Sequence, residues 1–208
     1  MKNEGIEDWP GTKTRIKFIR VEGLVAADSL SPAEALRHSA FRMEKRRSEW
    51  LAGRLAAKTL LAGESPGRKF SSFEITTDSL GRPSCGSSLL SISHSGGWAL
   101  AAIKTGSAFL GADLEKIEER HPAWYRDYFH QSELPHPGPS EATRLWAIKE
   151  ALLKALGLGL MADPMNIRAE DKVRFSGMAL ERYVSLGSPA FSVETRNFPE
   201  GFWTAVAA

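Results

Sequence analysis

Cysteine is almost missing from this chain of 208 residues: Cys85 stands alone. One thiol cannot close an internal disulfide or build a cysteine-rich metal site. That pattern suits a reducing compartment, so a cytoplasmic location is expected. No run approaches the roughly 18 apolar residues that a transmembrane helix needs, and none contains a signal-peptide core, so no membrane partner is expected. Low-complexity tracts are absent. A formal net charge of +2 gives too little excess to argue for nucleic acid as a partner. No G-x-x-x-x-G-K-[ST] loop occurs, which excludes P-loop nucleotide chemistry.

What is present is ordinary globular composition, 42% hydrophobic and 25% charged. The length suits one large domain or two halves of about 100 residues, each able to bury a core. Residues 1–13 are polar and read as loop. "TRIKFIRVEG" (14–23) alternates as a strand. "SPAE" (31–34) is a helix start, with Ser31 as N-cap, Pro32 in the first turn and Glu34 three residues on. Helix then runs, in one piece or two, through "ALRHSAFRMEKRRSEWLAGRLAAKTLLAGE". Strands are expected at 73–77, 89–93, 98–104 and 108–117, and helix at about 122–134. Ser140 is expected to cap a helix "EATRLWAIKEALLKALG". The remainder, including "RYVSLG", reads as strand-rich. This order is α+β, a mixed α/β chain, with a half that repeats. "WALAAI" (98–103) and "WTAVAA" (203–208) echo one another at the ends of the two halves.

Five segments carry candidate chemistry. In "GADLEKI" (111–117), Asp113 and Glu115 sit two apart on an apolar strand, so both carboxylates share one face. Like charges side by side need a cation or open water. Taken alone, the pair could simply face solvent. The functional alternative is Mg²⁺, which takes hard oxygen ligands from one or two carboxylates and completes its shell with water and phosphate. Glu150 and Lys154 are spaced i,i+4 on the later helix; in isolation that is a surface salt bridge, and Lys149 is a solvated charge. "SISHSGG" places Ser93 and His94 in a Ser/Gly turn that could form a phosphate corner. Lys45, Arg46, Arg47 and Arg54 form a basic helical run. "LGRP" presents Arg82 in a turn.

The segments "KRRSEWLAGR", "GRP", "SISHS", "GADLE" and "WAIKEALLKALG" occur in an order that resembles the 4′-phosphopantetheinyl transferases of the surfactin/enterobactin synthetase type. The resemblance spans about residues 40–160. It rests on S-H-S, G-x-D-x-E and W-x-x-K-E-x-x-x-K in combination; each is weak by itself. Arg82 stands where lysine is frequent. Trp50 replaces the small hydroxylic residue of the surfactin-type members and is closer to the enterobactin type. The stretch "SELPHPGPSEATR" is proline-rich where the family has a long charged loop.

The resemblance implies a pseudo-dimer of two similar halves, 1–108 and 109–208, with the active site at their interface. The first would bind coenzyme A; the second would carry the metal and the catalytic helix. It implies a holo-[acyl-carrier-protein] synthase type of reaction. The phosphopantetheine arm of coenzyme A moves to a serine of an apo acyl or peptidyl carrier protein, and adenosine 3′,5′-bisphosphate leaves. Asp113, Glu115 and Glu150 would hold Mg²⁺; Glu150 would take the serine proton; Lys154 would stabilise the departing phosphate. Ser93, His94, Arg46, Arg54 and Arg82 would contact coenzyme A. Arg46 and Arg47 are not separated by sequence, nor is direct from water-mediated metal binding by Glu115. The basic run suits an acidic carrier, and a monomer is expected. Two alternatives stay open: a relative that binds carrier or coenzyme A without transfer, and another Mg²⁺-dependent phosphotransferase.

Overall fold

The computed structural model describes residues 6–106 and 109–208. Residues 1–5 of the expected N-terminal loop, and Ala108 at the start of the expected 108–117 strand, lie outside it. The chain divides into two compact units, Met1–Ala108 and Phe109–Ala208, and both mix helix with sheet.

The first unit contains β1 (Glu7–Trp9), β2 (Thr14–Arg20), α1 (Pro32–Ser39) and α2 (Glu44–Glu64). These are followed by β3 (Thr76–Thr77), β4 (Pro83–Cys85), β5 (Ser88–Ser95) and β6 (Trp98–Lys104). The strands form one antiparallel sheet in the order β1-β2-β6-β5-β4-β3. The reading of 1–13 as loop is corrected by β1, whose Trp9 is buried. The expected strand at 73–77 is paired only at Thr76–Thr77, although Phe73 and Ile75 do enter the core. "SPAE" does form a capping box: Ser31 Oγ accepts from Glu34 N, and Glu34 Oε2 accepts from Ser31 N at 2.9 Å. Such a cap contributes about 1 kcal/mol. The β5–β6 hairpin turns on Gly96 and Gly97, with φ of 53° and 84°. Two successive positive φ values are what a tight two-residue turn demands, and glycine meets them without a Cβ clash. Helix α2 lies on the sheet through Ala56, Ala57, Leu60 and Leu61. Gly53 permits the approach, since a Cβ there would stand 2.7 Å from Ile92 Cγ2.

The second unit contains β7 (Gly111–Lys116), α3 (Pro122–Tyr128), α4 (Pro139–Leu156), β8 (Ile167–Ala169) and β9 (Val173–Phe175). It ends with α5 (Gly177–Ser185), β10 (Val193–Arg196) and β11 (Phe202–Ala207). Its main sheet runs β10-β11-β7, all antiparallel, and β8 pairs with β9. Three expectations are corrected. The helix at 122–134 stops at Tyr128, because Phe129 turns to extended backbone. Ser140 is not the cap of α4: Gly138 holds that position with Pro139 in the first turn, and Ser140 Oγ accepts from Trp203 Nε1 at 3.0 Å. "RYVSLG" is not strand but the end of α5, whose Ala179 is buried and whose Tyr183 packs beside the core one turn later. Helix α4 ends at Gly157, φ 74°, with Leu158 N donating to Leu153 O. That closure needs the left-handed residue glycine supplies.

The two units share a strand plan. In each, the strand before the long helix pairs with the last strand, which pairs with the one before it: β2-β6-β5 and β7-β11-β10. The echoing segments "WALAAI" and "WTAVAA" map onto those last strands, β6 and β11.

Candidate active site

In the second unit, β7 runs against α4 with almost no space between them. A Cβ on Gly111 would sit 1.8 Å from Ala151 O and 2.6 Å from Ala155 N. Only glycine fits, so the glycine of G-x-D-x-E is a packing requirement. Gly111, Asp113 and Glu115 alternate onto the face that meets α4. On α4 the facing stripe is Glu150, Ala151, Lys154 and Ala155, each charged residue followed by a small one.

Asp113 is 2% exposed. Its Oδ1 accepts from Lys154 Nζ at 2.6 Å, and the same ammonium donates to Ala112 O at 3.2 Å. Lys154 thus bonds to the strand and not, as the i,i+4 spacing suggested, to Glu150. Glu150 is buried, and its Oε1 has no hydrogen-bond partner among the described residues. Burial raises its carboxyl, repulsion from Asp113 adds to that, and Lys154 opposes it; the result is pushed up to about 7. Glu115 lies nearer the surface with Arg120 Nη2 at 3.7 Å. The positive charge beside the carboxylates is therefore, in the first instance, Lys154.

Among the described residues no three His, Cys, Asp or Glu side chains converge as a metal cluster. The donor chemistry of Asp113 and Glu150 nevertheless suits Mg²⁺. Both are hard carboxylate oxygens, and Glu150 Oε1 is an uncompensated buried acceptor. Mg²⁺ takes one or two carboxylates and fills the rest with water and phosphate.

Lys149, one residue before Glu150, is rotated by about 100° around the helix. It is fully buried, which corrects its reading as a solvated charge. Its Nζ donates to Glu133 Oε2 and to Tyr128 O, both at 2.9 Å, and lies 5.1 Å from the Phe129 ring centre. Trp146 packs with Trp124, Tyr128 and Phe129. The motif W-x-x-K-E-x-x-x-K thus divides by helix face. Trp146 and Lys149 anchor the helix; Glu150 and Lys154 face β7.

In the first unit, Arg46, Arg54 and His94 line one cavity of about 270 Å³, together with Arg37, Glu49 and Trp50. Arg47 pairs with Glu44 instead and does not line it, which separates the two adjacent arginines. Arg54 is 6% exposed, its guanidinium carbon 4.8 Å from the Trp50 ring centre. Burial lowers the guanidinium to about 10; attraction to Glu34 resists this and Arg37 adds to it. His94 Nδ1 lies 3.7 Å from Glu49 Oε2. Two expected contacts are not gathered here. Strand alternation turns Ser93 to the sheet face opposite His94 and Ile92. The Arg82 side chain pairs with Asp78, Nε to Oδ2 at 2.8 Å, while its neighbours Gly81 and Pro83 line the cavity. Sequence reasoning missed Arg37 and Glu49, which carry no motif of their own. It also missed the partner of Lys149, because Glu133 comes from a loop between helices.

One mixed α/β unit thus carries a cavity lined by arginines and a histidine, and the other an aspartate–lysine pair between strand and helix. A model of the 4′-phosphopantetheinyl transferase superfamily matches residues 109–191, and one of the 4′-phosphopantetheinyl transferase N-terminal domain matches residues 32–104. The chain belongs to the 4′-phosphopantetheinyl transferase superfamily. Among curated proteins nothing matches it. Among solved structures it is similar to the holo-[acyl-carrier-protein] synthase of Thermotoga maritima, at 21% identity over 56% of this chain and 74% of that one, TM-score 0.37. It is also similar to the ACPS–CoA complex from Chronobacterium ammoniagenes, at 23% identity over 45% of this chain and 97% of that one, TM-score 0.33.

Proposed function

We propose that this protein transfers the phosphopantetheine arm of coenzyme A to a serine hydroxyl of an apo acyl or peptidyl carrier protein, as a transferase of the surfactin/enterobactin type. The observation that carries the reading is Glu150, a buried carboxylate with one unpartnered oxygen, set beside the Asp113–Lys154 pair. A base pushed up to about 7 is poised to take a proton near neutral pH.

In this reading the serine oxygen attacks the phosphorus that bears the pantetheine arm. The bond from that phosphorus to the bridging oxygen breaks, and adenosine 3′,5′-bisphosphate leaves with the bond's electron pair. Glu150 accepts the serine proton. Lys154, with Nζ oriented by Asp113 Oδ1 and Ala112 O, donates to the leaving phosphate as its charge grows. Asp113 and Glu150, with Glu115, would hold Mg²⁺, which when bound neutralises charge on the phosphoryl oxygens. Arg46, Arg54 and His94 grip phosphate of coenzyme A, and the cavity they share supports that role. Arg37 joins them. Arg82, beside the cavity-lining Gly81 and Pro83, remains as an outer contact, and Ser93, on the other face of the sheet, supports His94 only through the strand. The shared strand plan supports the pseudo-dimer reading. Arg42, Lys45 and Arg46, exposed around α2's first turn, offer a basic surface for an acidic carrier.

The test is direct. Incubate the protein with coenzyme A, Mg²⁺ and a panel of purified apo carriers, and weigh the carriers. Gain of the phosphopantetheine mass on the carrier serine is the expected result; no gain on any carrier refutes the reading.

A further inference from the structure

Each unit contains a buried lysine–glutamate clasp, and the two are wired alike. In the first, Lys58 on α2 donates to Glu34 Oε2 and, at 2.8 Å, to Ser29 O, five residues before that glutamate. In the second, Lys149 on α4 donates to Glu133 Oε2 and to Tyr128 O, again five residues before the glutamate. Both glutamates take a backbone N–H from three residues earlier on the same oxygen, Ser31 and His130, each at 2.9 Å. Both take a distant backbone N–H on Oε1: Ile75 at 3.4 Å and Ala169 at 2.7 Å.

The correspondence shows what one clasp adds. One helical turn before Lys149 stands Leu145, a core residue at 1% exposure. One turn before Lys58 stands Arg54. A leucine suffices at this place in the scaffold, so a buried guanidinium there needs a separate reason. Arg54 Nε lies 3.5 Å from Glu34 Oε1, too long for a sound hydrogen bond, and Nε has no hydrogen-bond partner among the described residues. Lys58 already takes the other oxygen. One carboxylate thus serves two cations, and the uncompensated positive charge belongs to the side chain that lines the cavity.

We propose that Glu34 is a positioning residue for anion binding. It fixes Arg54 between its own carboxylate and the Trp50 ring, while its sharing with Lys58 leaves the guanidinium short of full compensation and available to a phosphate. This rests on the functional reading above for the identity of the anion, coenzyme A, and on geometry alone for the arrangement.

A double-mutant cycle tests it. Glu34→Gln, Arg54→Leu and the double variant are compared with the unchanged protein, after thermal melts show which are folded at the assay temperature. Glu34→Asp, which keeps the charge but is one methylene short, replaces Glu34→Gln if that variant does not fold. Coenzyme A and inorganic pyrophosphate binding are measured by calorimetry, and transfer is assayed at saturating coenzyme A. The expected result is about tenfold weaker binding of both ligands in each single variant, with kcat within about twofold for the Glu34 variant. The double variant should bind no more weakly than Arg54→Leu alone, since Glu34 acts only through Arg54. Additive losses, unchanged binding in the Glu34 variant, or a fall in kcat with KM intact would overturn the proposal. If the unchanged protein binds pyrophosphate but neither binds nor consumes coenzyme A, the functional reading fails and the positioning role is judged on pyrophosphate. If it binds neither, both fail.

Discussion

Replacing Glu150 with glutamine should make the protein more stable and far less active, and the gain in stability should depend on pH in a definite way. The carboxyl rises from 4.5 to about 7 in the folded chain, through burial first and Asp113 second. A carboxyl raised by folding is bound to its proton more tightly in the native state. Its favourable contribution is fully present below the unfolded value of 4.5 and is lost as pH rises through about 7. Above that, the ionised group costs about 3 kcal/mol relative to its neutral form, taking 1.36 kcal/mol for each unit. Glutamine keeps the shape and cannot ionise. Urea unfolding of Glu150→Gln against the unchanged protein, without divalent cations, should therefore show little difference near pH 4.5. It should show a gain at pH 8 that approaches about 3 kcal/mol. Transfer activity should fall by a factor of about 10²–10⁴, the usual contribution of a positioned base. Equal stability differences at the two pH values would refute the desolvated, repelled carboxylate; retained activity would refute the base.

Four further outcomes follow from the same geometry. Gly111→Ala should lower the melting temperature steeply, with a cost of about 3 kcal/mol or more, because its new methyl meets the α4 backbone and not a movable side chain. Asp113→Asn should remove most transfer activity but cost only about 1–2 kcal/mol in denaturant titration, because Lys154 retains a quarter of its side-chain exposure and can turn to water. Lys149→Met should cost about 3–5 kcal/mol by leaving Glu133 buried and unpaired, and adding Glu133→Gln should recover part of it. Arg42→Glu with Lys45→Glu should raise KM for an acidic carrier about tenfold without changing KM for coenzyme A, and the difference should shrink in high salt.

Local rules made part of this legible: strand alternation sets Asp113 and Glu115 on one face of β7, and "SPAE" is a capping box written in four consecutive residues. The i,i+4 spacing of Glu150 and Lys154 points to the wrong partner, since Lys154 bonds to Asp113. Lys149 is beyond the reach of local rules. Its partner Glu133 reaches it across the loop before α4, and nothing in a helical window announces a loop carboxylate. The end of α5 reads as strand because Tyr183 and Val184 favour sheet, while Ala179 and Tyr183, one turn apart, turn that segment toward the core as helix. Ser93 and His94 are adjacent in a motif that suggests joint action; alternation along β5, paired with β6, sends them to opposite faces.

The contact at Gly111 also governs how this site is able to vary. Most active sites hold their groups apart by layers of side chains, and a lineage can widen or narrow them by exchanging a valine for a leucine. Between β7 and α4 the two main chains meet directly at Ala151 and Ala155, so the gauge of the gap is set by peptide geometry itself. No exchange at residue 111 can retune it, because every alternative to glycine is larger.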